Sequence, residues 1–351
     1  MSVSVMMTCA GGTMVPALFS SLRQDPVLQT RIIGVDVSAE ARGRHYADAF
    51  HVVPWATEAG YVERLLELAR AERVDVILPG SDQEAFCLAA ARGAFDGIGV
   101  KVLASPTGVL DLIRDKSATY AALKAAGIRV PEYACVDGAD NLAHALRSFG
   151  YPERDVIVKP VAGRGGRGMR LLVGKGAAPA AWIGAGAREQ RFEMPVHVAE
   201  LPGWFDDGTL MVMPLMNAPA YDVDVFAHRG QARAALVRRR FNPAGIPFTG
   251  NRIVSDPMVM RYCLEIAEAL GLDALHDIDL LTDDQGRPCL LEVNPRPSGS
   301  VVAAHAAGFP IVAAAVAETV GISYPICAPE RDIDVGMVPT AMTMVIPADL
   351  L

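Results

Sequence analysis

Basic charge is scarce in this 351-residue chain: 32 Lys and Arg stand against 40 Asp and Glu, a formal net charge of −8. A nucleic-acid binder normally carries a basic face, so that class is excluded and any cations that matter act locally. No CxxC pair and no metal-finger spacing occurs among the six cysteines (Cys9, Cys87, Cys135, Cys263, Cys289 and Cys327), most of which sit in apolar runs and read as small buried thiols. No basic segment precedes the apolar start MSVSVMMTCAGG, so no signal peptide is read there. The Ala-rich stretch Val301–Val320 is interrupted by His305, Gly308 and Pro310 and reads as a buried helix, not a membrane span. A cytoplasmic chain with no nucleic-acid or membrane partner is the expectation.

Two nucleotide signatures are missing as well. Gly11-Gly12 lies at a strand-to-helix turn with Asp36 ending the next strand, but the third glycine of GxGxxG is absent. A structural tight turn is therefore expected in place of a dinucleotide site. No GKS or GKT follows the later glycine-dense loop, which excludes a Walker A motif.

What is present is regular alternation. Val3–Thr8, Arg31–Asp36 and Val74–Pro79 read as strands, with helices over Val15–Arg23, Tyr61–Arg70 and from Gly80 onward. This predicts an α/β fold opening with a doubly wound parallel sheet. Asp82 and Glu84, beyond the third strand, read as a helix N-cap pair. A boundary falls near 104–106, followed by helices over Ser105–Leu112 and Lys116–Ala126. Asp155–Lys159 is a short strand, Met211–Phe226 alternates like one or two strands, and Pro257–Leu270 has helical spacing. Asp277–Leu281 and Pro288–Asn294 flank the turn residues 283–286 and predict an antiparallel hairpin.

The hairpin carries the chemistry. Strand side chains alternate, so Glu292, Asn294 and Arg296 share a face. A regular hairpin centred between Gln285 and Gly286 sets Asp279 opposite Glu292 and Asp277 opposite Asn294, while Cys289, Leu291 and Val293 cover the other face. Unpaired buried charges cost several kcal/mol, roughly, so such a face calls for a cation. Hard oxygen ligands suit Mg²⁺, which completes its shell with phosphate oxygens. Arg296 can then stabilise charge on a transferring phosphoryl group.

Lys159 ends an apolar strand and precedes Gly163-Arg164-Gly165-Gly166-Arg167-Gly168, a cation followed by a loop whose N–H groups can approach phosphate oxygens. Lys116, at a helix start, offers a second lysine. Arg238 and Arg240 share a strand face, suited to bidentate capture of a carboxylate or phosphate. Trp182, Trp204, Phe192 and Phe205 are candidates for the wall of a substrate pocket.

Together these segments, and above all Leu290-Leu-Glu-Val-Asn-Pro-Arg-Pro-Ser-Gly299, resemble the ATP-grasp superfamily, specifically stand-alone relatives of the carbamoyl phosphate synthetase large subunit. The resemblance covers nearly the whole chain. It implies an N-terminal Rossmann-like preATP-grasp domain (1–105) and a two-subdomain α+β ATP-grasp domain (106–330). The latter divides into a lid subdomain of about 117–212 and a metal-binding subdomain of about 213–330, with a C-terminal extension over 331–351.

By matching position, the resemblance assigns Lys116 and Lys159 to the nucleotide phosphates, and Arg164, Gly165, Gly166 and Gly168 to the closing loop. Glu292, Asn294 and Asp279 become the ligands of two Mg²⁺ ions, which Mn²⁺ can replace. Arg296 faces phosphate, and Arg238 and Arg240 face the acceptor or the acyl phosphate. The adenine falls on the backbone of Met213, Pro214 and Leu215, where this chain departs from the family by carrying Ala220 in place of an acid; Asp222 or Asp224 could compensate. The implied activity is an ATP-dependent carboxylate–amine ligase acting through an acyl phosphate, on small-molecule carboxylate and amine substrates. A bicarbonate-activating, carbamoyl-forming enzyme is the alternative, a silent nucleotide-binding module a third reading, and a homodimer an allowed assembly.

Overall fold

Buried on both faces, the strands of a parallel sheet need apolar side chains in succession, and the first hundred residues supply them. They form β1 (Ser2–Met7), α1 (Val15–Arg23), β2 (Gln29–Asp36), β3 (Ala49–Val52), α2 (Tyr61–Ala71), β4 (Val76–Leu78), α3 (Asp82–Ala90), α4 (Arg92–Asp96) and β5 (Lys101–Val102). The computed structural model describes residues 2–163, 168–174, 190–192, 202–205, 208–241 and 250–336. The first sheet has the order β3-β2-β1-β4-β5, all parallel. Val5 and Met6 are both fully buried, one in each of the two cores that flank it. The expected three-strand pattern missed β3, whose residues are only partly buried or exposed and so carry a weak apolar signal.

The turn after β1 is structural, as expected: the Asp36 carboxylate accepts the N–H of Gly11 (2.7 Å) and of Ser38 (2.9 Å). Gly80, after β4, is required by crowding, since a Cβ there would stand 2.2 Å from the Thr8 carbonyl oxygen.

Two helices, α5 (Thr107–Arg114) and α6 (Lys116–Ala125), lead to a second sheet built from β6 (Ala134–Val136), β7 (Val156–Pro160), β8 (Arg170–Leu172), β9 (Gln190–Phe192) and β10 (Leu210–Pro214), with α7 (Ala139–Ser148) after β6. Its order is β6-β10-β7-β8-β9, antiparallel except between β8 and β9. Val156 and Val158 pack against Leu142 and Trp204 on one face, whereas Ile157 belongs to the main core on the other. Trp204 is thus a core residue of this unit and not a pocket wall, with Phe205 packed beside it. Trp182 lies outside the described residues.

The third sheet, order β15-β14-β11-β12-β13-β16, is antiparallel throughout. It comprises β11 (Asn217–His228), β12 (Gln231–Arg240), β13 (Asn251–Ile253), β14 (Ala274–Thr282), β15 (Pro288–Asn294) and β16 (Ile333–Val335). Met211–Phe226 therefore feeds two strands in two different sheets. The helix α8 (Pro257–Leu270) begins at the Asp256 N-cap with proline at the first position and ends at Gly271 in the left-handed region (φ 65°).

The stretch 301–320 forms two helices, α9 (Val302–Ala306) and α10 (Ile311–Thr319), because Gly308 and Pro310 break the single helix expected there. Residues 333–335 form an edge strand of this sheet, paired with β13. The helix α6 packs on α8, and the Tyr120 hydroxyl donates to the Leu290 and Leu291 carbonyls (2.9 Å each), so this helix sits with the third sheet and not with the lid unit. Of the six thiols only Cys263 and Cys289 are buried; Cys135 and Cys327 are exposed. Among the described residues no helix is long and apolar enough to cross a membrane.

Candidate active site

Register across the third sheet brings the charged residues together. Asp279 on β14 lies opposite Glu292 on β15 and opposite Asp222 on β11, which in turn lies opposite Arg238 on β12. One step along, Asp277 lies opposite Asn294 and Asp224. The expected pairings occur, but not through a regular hairpin. The turn centres on Gln285 (Leu280 opposite Leu290), half a position earlier than expected, and a register shift between Asp279 and Leu280 restores the offset. Cys289 consequently lies opposite Leu281 and does not continue the face that Val293 covers, and Leu291 is only partly buried.

Three carboxylates, Asp222, Asp277 and Asp279, present oxygens within 4.8 Å of one another. The Asn294 Nδ2 donates to Asp277 (3.4 Å) and Asp279 (3.5 Å). Burial first, and then mutual repulsion, act on this cluster: Asp277 is pushed up to about 7, with Asp222 as the next cause, and Asp279 is raised well above the usual carboxylate range, with Asp277 next. A set of hard oxygen donors that repel one another in this way fits a divalent cation.

Two arginines hold the cluster from below. Arg238, fully buried, grips Asp224 through Nε (2.6 Å) and Nη2 (2.9 Å) and reaches Asp222 (3.4 Å), Ser300 (2.5 Å) and Asp277 (3.5 Å). The expectation that it captures a substrate is corrected here, because its whole guanidinium is enclosed and spent on protein oxygens. Arg240 is partly exposed and pairs with Asp222 (2.7 Å) and Asp279 (3.0 Å).

Two lysines reach the edge of the cluster from α6 and β7. Asp115 caps α6 by accepting from Ser117 N (2.8 Å) and Ala118 N (3.1 Å), which points the first helical residue, Lys116, at Glu292 (3.3 Å) and the Gly163 carbonyl (2.9 Å). Lys159 shares the Ile157 face of β7 and reaches the Leu291 carbonyl (3.5 Å). Burial, and next the Lys116 charge, lower it to about 8. Two buried lysines forced together mark a place for an anion. Gly168 is described with φ 74°, whereas Arg164, Gly165, Gly166 and Arg167 lie outside the described residues. Pro214 ends β10 opposite Val156 and Met213 lies opposite Ile157, while the Leu215 N–H donates to the Asp155 carbonyl (3.2 Å) and is not free for a base.

Arg296 leaves the sheet edge. Its Nε donates to Asp82 (3.0 Å), and its Nη1 contacts the Pro297 carbonyl (3.2 Å) and Asp277 (3.7 Å). Asp82 is therefore the partner of a distant arginine and not a cap; Ser81 caps α3, its hydroxyl accepting the Glu84 N–H (3.4 Å) and donating to the Glu84 carboxylate (2.8 Å). Beside this pair a cavity of about 350 Å³ opens between the ends of β1 and β4 and residues 296–302. A larger cavity, about 840 Å³, lies behind α1 and touches none of these charges. The sequence offers Asp222 and Asp224 only as stand-ins for the acid missing at Ala220; the structure places Asp224 on Arg238 and Asp222 in the carboxylate cluster. The signal was there: an alternating Asp222-x-Asp224 and an alternating Arg238-x-Arg240 on strands that pair.

Residues 206–341 match the family described as ATP-grasp in the biosynthetic pathway with Ter operon, and residues 8–103 match the family described as PylC-like, N-terminal domain. A D-alanine–D-alanine ligase of Chromohalobacter salexigens is 27% identical over 241 residues, covering 66% of this chain and 70% of the relative. A carbamoyl phosphate synthase large chain of Thermoplasma acidophilum is 26% identical over 298 residues; these are 79% of this chain and only 26% of that protein. The biotin carboxylase domain of 2-oxoglutarate carboxylase from Hydrogenobacter thermophilus, solved with MgADP, ADP and bicarbonate, superposes with a TM-score of 0.67 at 16% identity, covering 92% of this chain and 71% of that chain.

Proposed function

The chain belongs to the ATP-grasp superfamily, with a PylC-like amino-terminal unit, and from that premise we propose that it is an ATP-dependent, ADP-forming ligase that joins a carboxylate to an amine. The observation that carries this reading is the facing of two surfaces: the carboxylate row of the third sheet and the Lys116–Lys159 pair, only 3.3 Å apart at Glu292. A triphosphate bound along this edge, in place of the Lys116–Glu292 contact, would meet cations on one side and cation ligands on the other. Asp279, Glu292 and Asn294, joined by Asp277 and Asp222, would hold two Mg²⁺ ions, and Mn²⁺ fits the same oxygens. When bound, such ions supply charge neutralisation at the phosphates.

The chain itself positions the reactants. Lys116 and Lys159 fix the phosphate oxygens, and Arg296 holds the substrate carboxylate beside the terminal phosphorus. A carboxylate oxygen bonds to that phosphorus as the bond to the β–γ bridging oxygen breaks, and ADP leaves with the electron pair. The unprotonated amine then attacks the acyl carbon, inorganic phosphate departs, and the nitrogen gives up its proton to solvent. Arg238 keeps Asp222, Asp224 and Asp277 in place and touches no reactant.

The test is a coupled assay of ADP and phosphate release over acids and amines. ADP formation that requires both substrates is expected; AMP formation would sink the mechanism. Bicarbonate-dependent turnover without an organic acid would favour the carboxylating alternative, which the largely apolar cavity beside Arg296 does not favour.

A further inference from the structure

Between Leu290 and Glu292 the strand β15 carries one residue too many. Leu290 lies opposite Leu280 and Glu292 opposite Asp279, so Leu291 bulges, and the bulge brings Glu292 into register with Asp279. β15 is also an edge strand, whose outward polar groups need partners other than a neighbouring strand. Two tyrosines supply them. The Tyr262 hydroxyl accepts the Leu290 N–H (3.2 Å) and donates to the Arg129 carbonyl (2.6 Å). The Tyr120 hydroxyl donates to the Leu290 and Leu291 carbonyls (2.9 Å each). Burial, and next the Glu292 charge, raise Tyr120 well above the ordinary tyrosine range, so it keeps its proton and stays a donor.

Lys159 stands at the same carbonyl. Its buried ammonium has several hydrogens to donate, and among the described residues it meets a single protein acceptor, the Leu291 oxygen, at a long 3.5 Å. The ring of Tyr120 lies 6.0 Å from it. Tyr120 also follows Lys116 by one turn of α6 and shares its face. We propose that Tyr120 is a positioning residue of the phosphate site. Its hydroxyl staples the bulged Leu291 carbonyl, which would otherwise draw in the Lys159 ammonium, and so leaves that ammonium for a phosphate oxygen. A side chain that only filled the core would need the ring and not the hydroxyl. The assignment rests on the reading above in one respect, that Lys159 faces the nucleotide phosphates.

The experiment is calorimetric binding of MgADP and of adenosine to the full chain, since the two share a nucleoside and differ in the phosphates. Tyr120→Phe should weaken MgADP by about fivefold or more and adenosine by less than about twofold, the loss of one hydrogen-bond constraint. Tyr262→Phe removes the neighbouring hydroxyl from the same strand edge; it should lower the melting temperature and leave the ratio of the two affinities within about twofold. In a Lys159→Met background, Tyr120→Phe should change MgADP affinity by less than about twofold, because the hydroxyl acts through that ammonium. An equal loss for both ligands, an equal loss in Tyr262→Phe, or a full loss that persists without Lys159 overturns the proposal. If Tyr120→Phe does not fold, acetic anhydride labelling of the wild-type chain decides. MgADP should shield Lys159 from acetylation and adenosine should not; equal shielding overturns it. Adenosine bound as tightly as MgADP by the wild-type chain would remove the phosphate site and the proposal together. A wild-type preference for MgADP that Tyr120→Phe leaves intact would remove the proposal alone.

Discussion

Glu292 faces Asp279 across the hairpin and Lys116 across the cleft, and few side chains in the molecule answer to so many charges at once. Glu292→Gln keeps the shape and removes the charge that a bound cation and the lysines share. Its kcat should fall by at least about 100-fold, in line with losing one electrostatic contact at a transferring group, while the melting temperature holds; unchanged turnover would place the chemistry elsewhere. Asp277 gives a pH dependence. Its carboxyl is pushed up to about 7, by burial first and Asp222 next, and only the ionised form can hold a cation. Protons and Mg²⁺ therefore compete, so metal binding weakens as the pH falls through about 7 and strengthens as it rises and the cluster loses its protons. Mg²⁺ titration of the ADP-bound chain should show roughly fivefold weaker affinity at pH 6 than at pH 7. An affinity flat over that range would contradict the cluster's role.

Between β11 and β12 the same register that builds the site also builds its support. Arg238 neutralises Asp224 and steadies Asp222 and Asp277 without reaching solvent. Removing one partner of a buried ion network leaves the others uncompensated, so Arg238→Leu should cost about 3–5 kcal/mol of unfolding free energy, measured in denaturant. A loss below about 1 kcal/mol would be the value of a surface pair and would contradict the enclosure. The element scale also shows where legibility ended. The Asp279–Glu292 pairing was readable from turn residues and strand alternation. The register shift beside Leu280 was not, because one extra residue in a strand leaves no compositional mark.

Across the whole chain, three sheets meet at the proposed phosphate cleft, and hydrogen bonds join them. Ser105, in the link after the first sheet, donates to the Asp273 carbonyl (2.8 Å) and contacts His276 (2.8 Å), whose other ring nitrogen contacts the Asn294 carbonyl (3.0 Å). Burial holds His276 down to about 4, so it stays neutral in this chain of contacts. A nucleotide bridging the lysines and the carboxylates ties the second and third sheets together. ATP with Mg²⁺ at about 100 times its dissociation constant should then stabilise the fold by roughly 2.7 kcal/mol. The readout is a raised melting temperature that chelation reverses; no shift would argue against the cleft as the nucleotide site.

By itself the sequence determined the local things. These were the alternation that makes a parallel sheet, the hairpin around 283–286, the helix 257–270 with its Asp-Pro start and Gly end, and the residue types that bind metal and phosphate. Those follow from period, turn chemistry and charge, which neighbours in the chain decide. Tertiary structure alone decided which of those charges are free. It buried Arg238 beneath Asp224, placed Trp204 in a core, committed the Leu215 N–H to Asp155, and joined Asp82 to Arg296 across 214 residues. The reason is physical: a side chain's availability depends on the partners that packing sets within about 3–4 Å of it, and the sequence spacing of distant strands does not encode that distance.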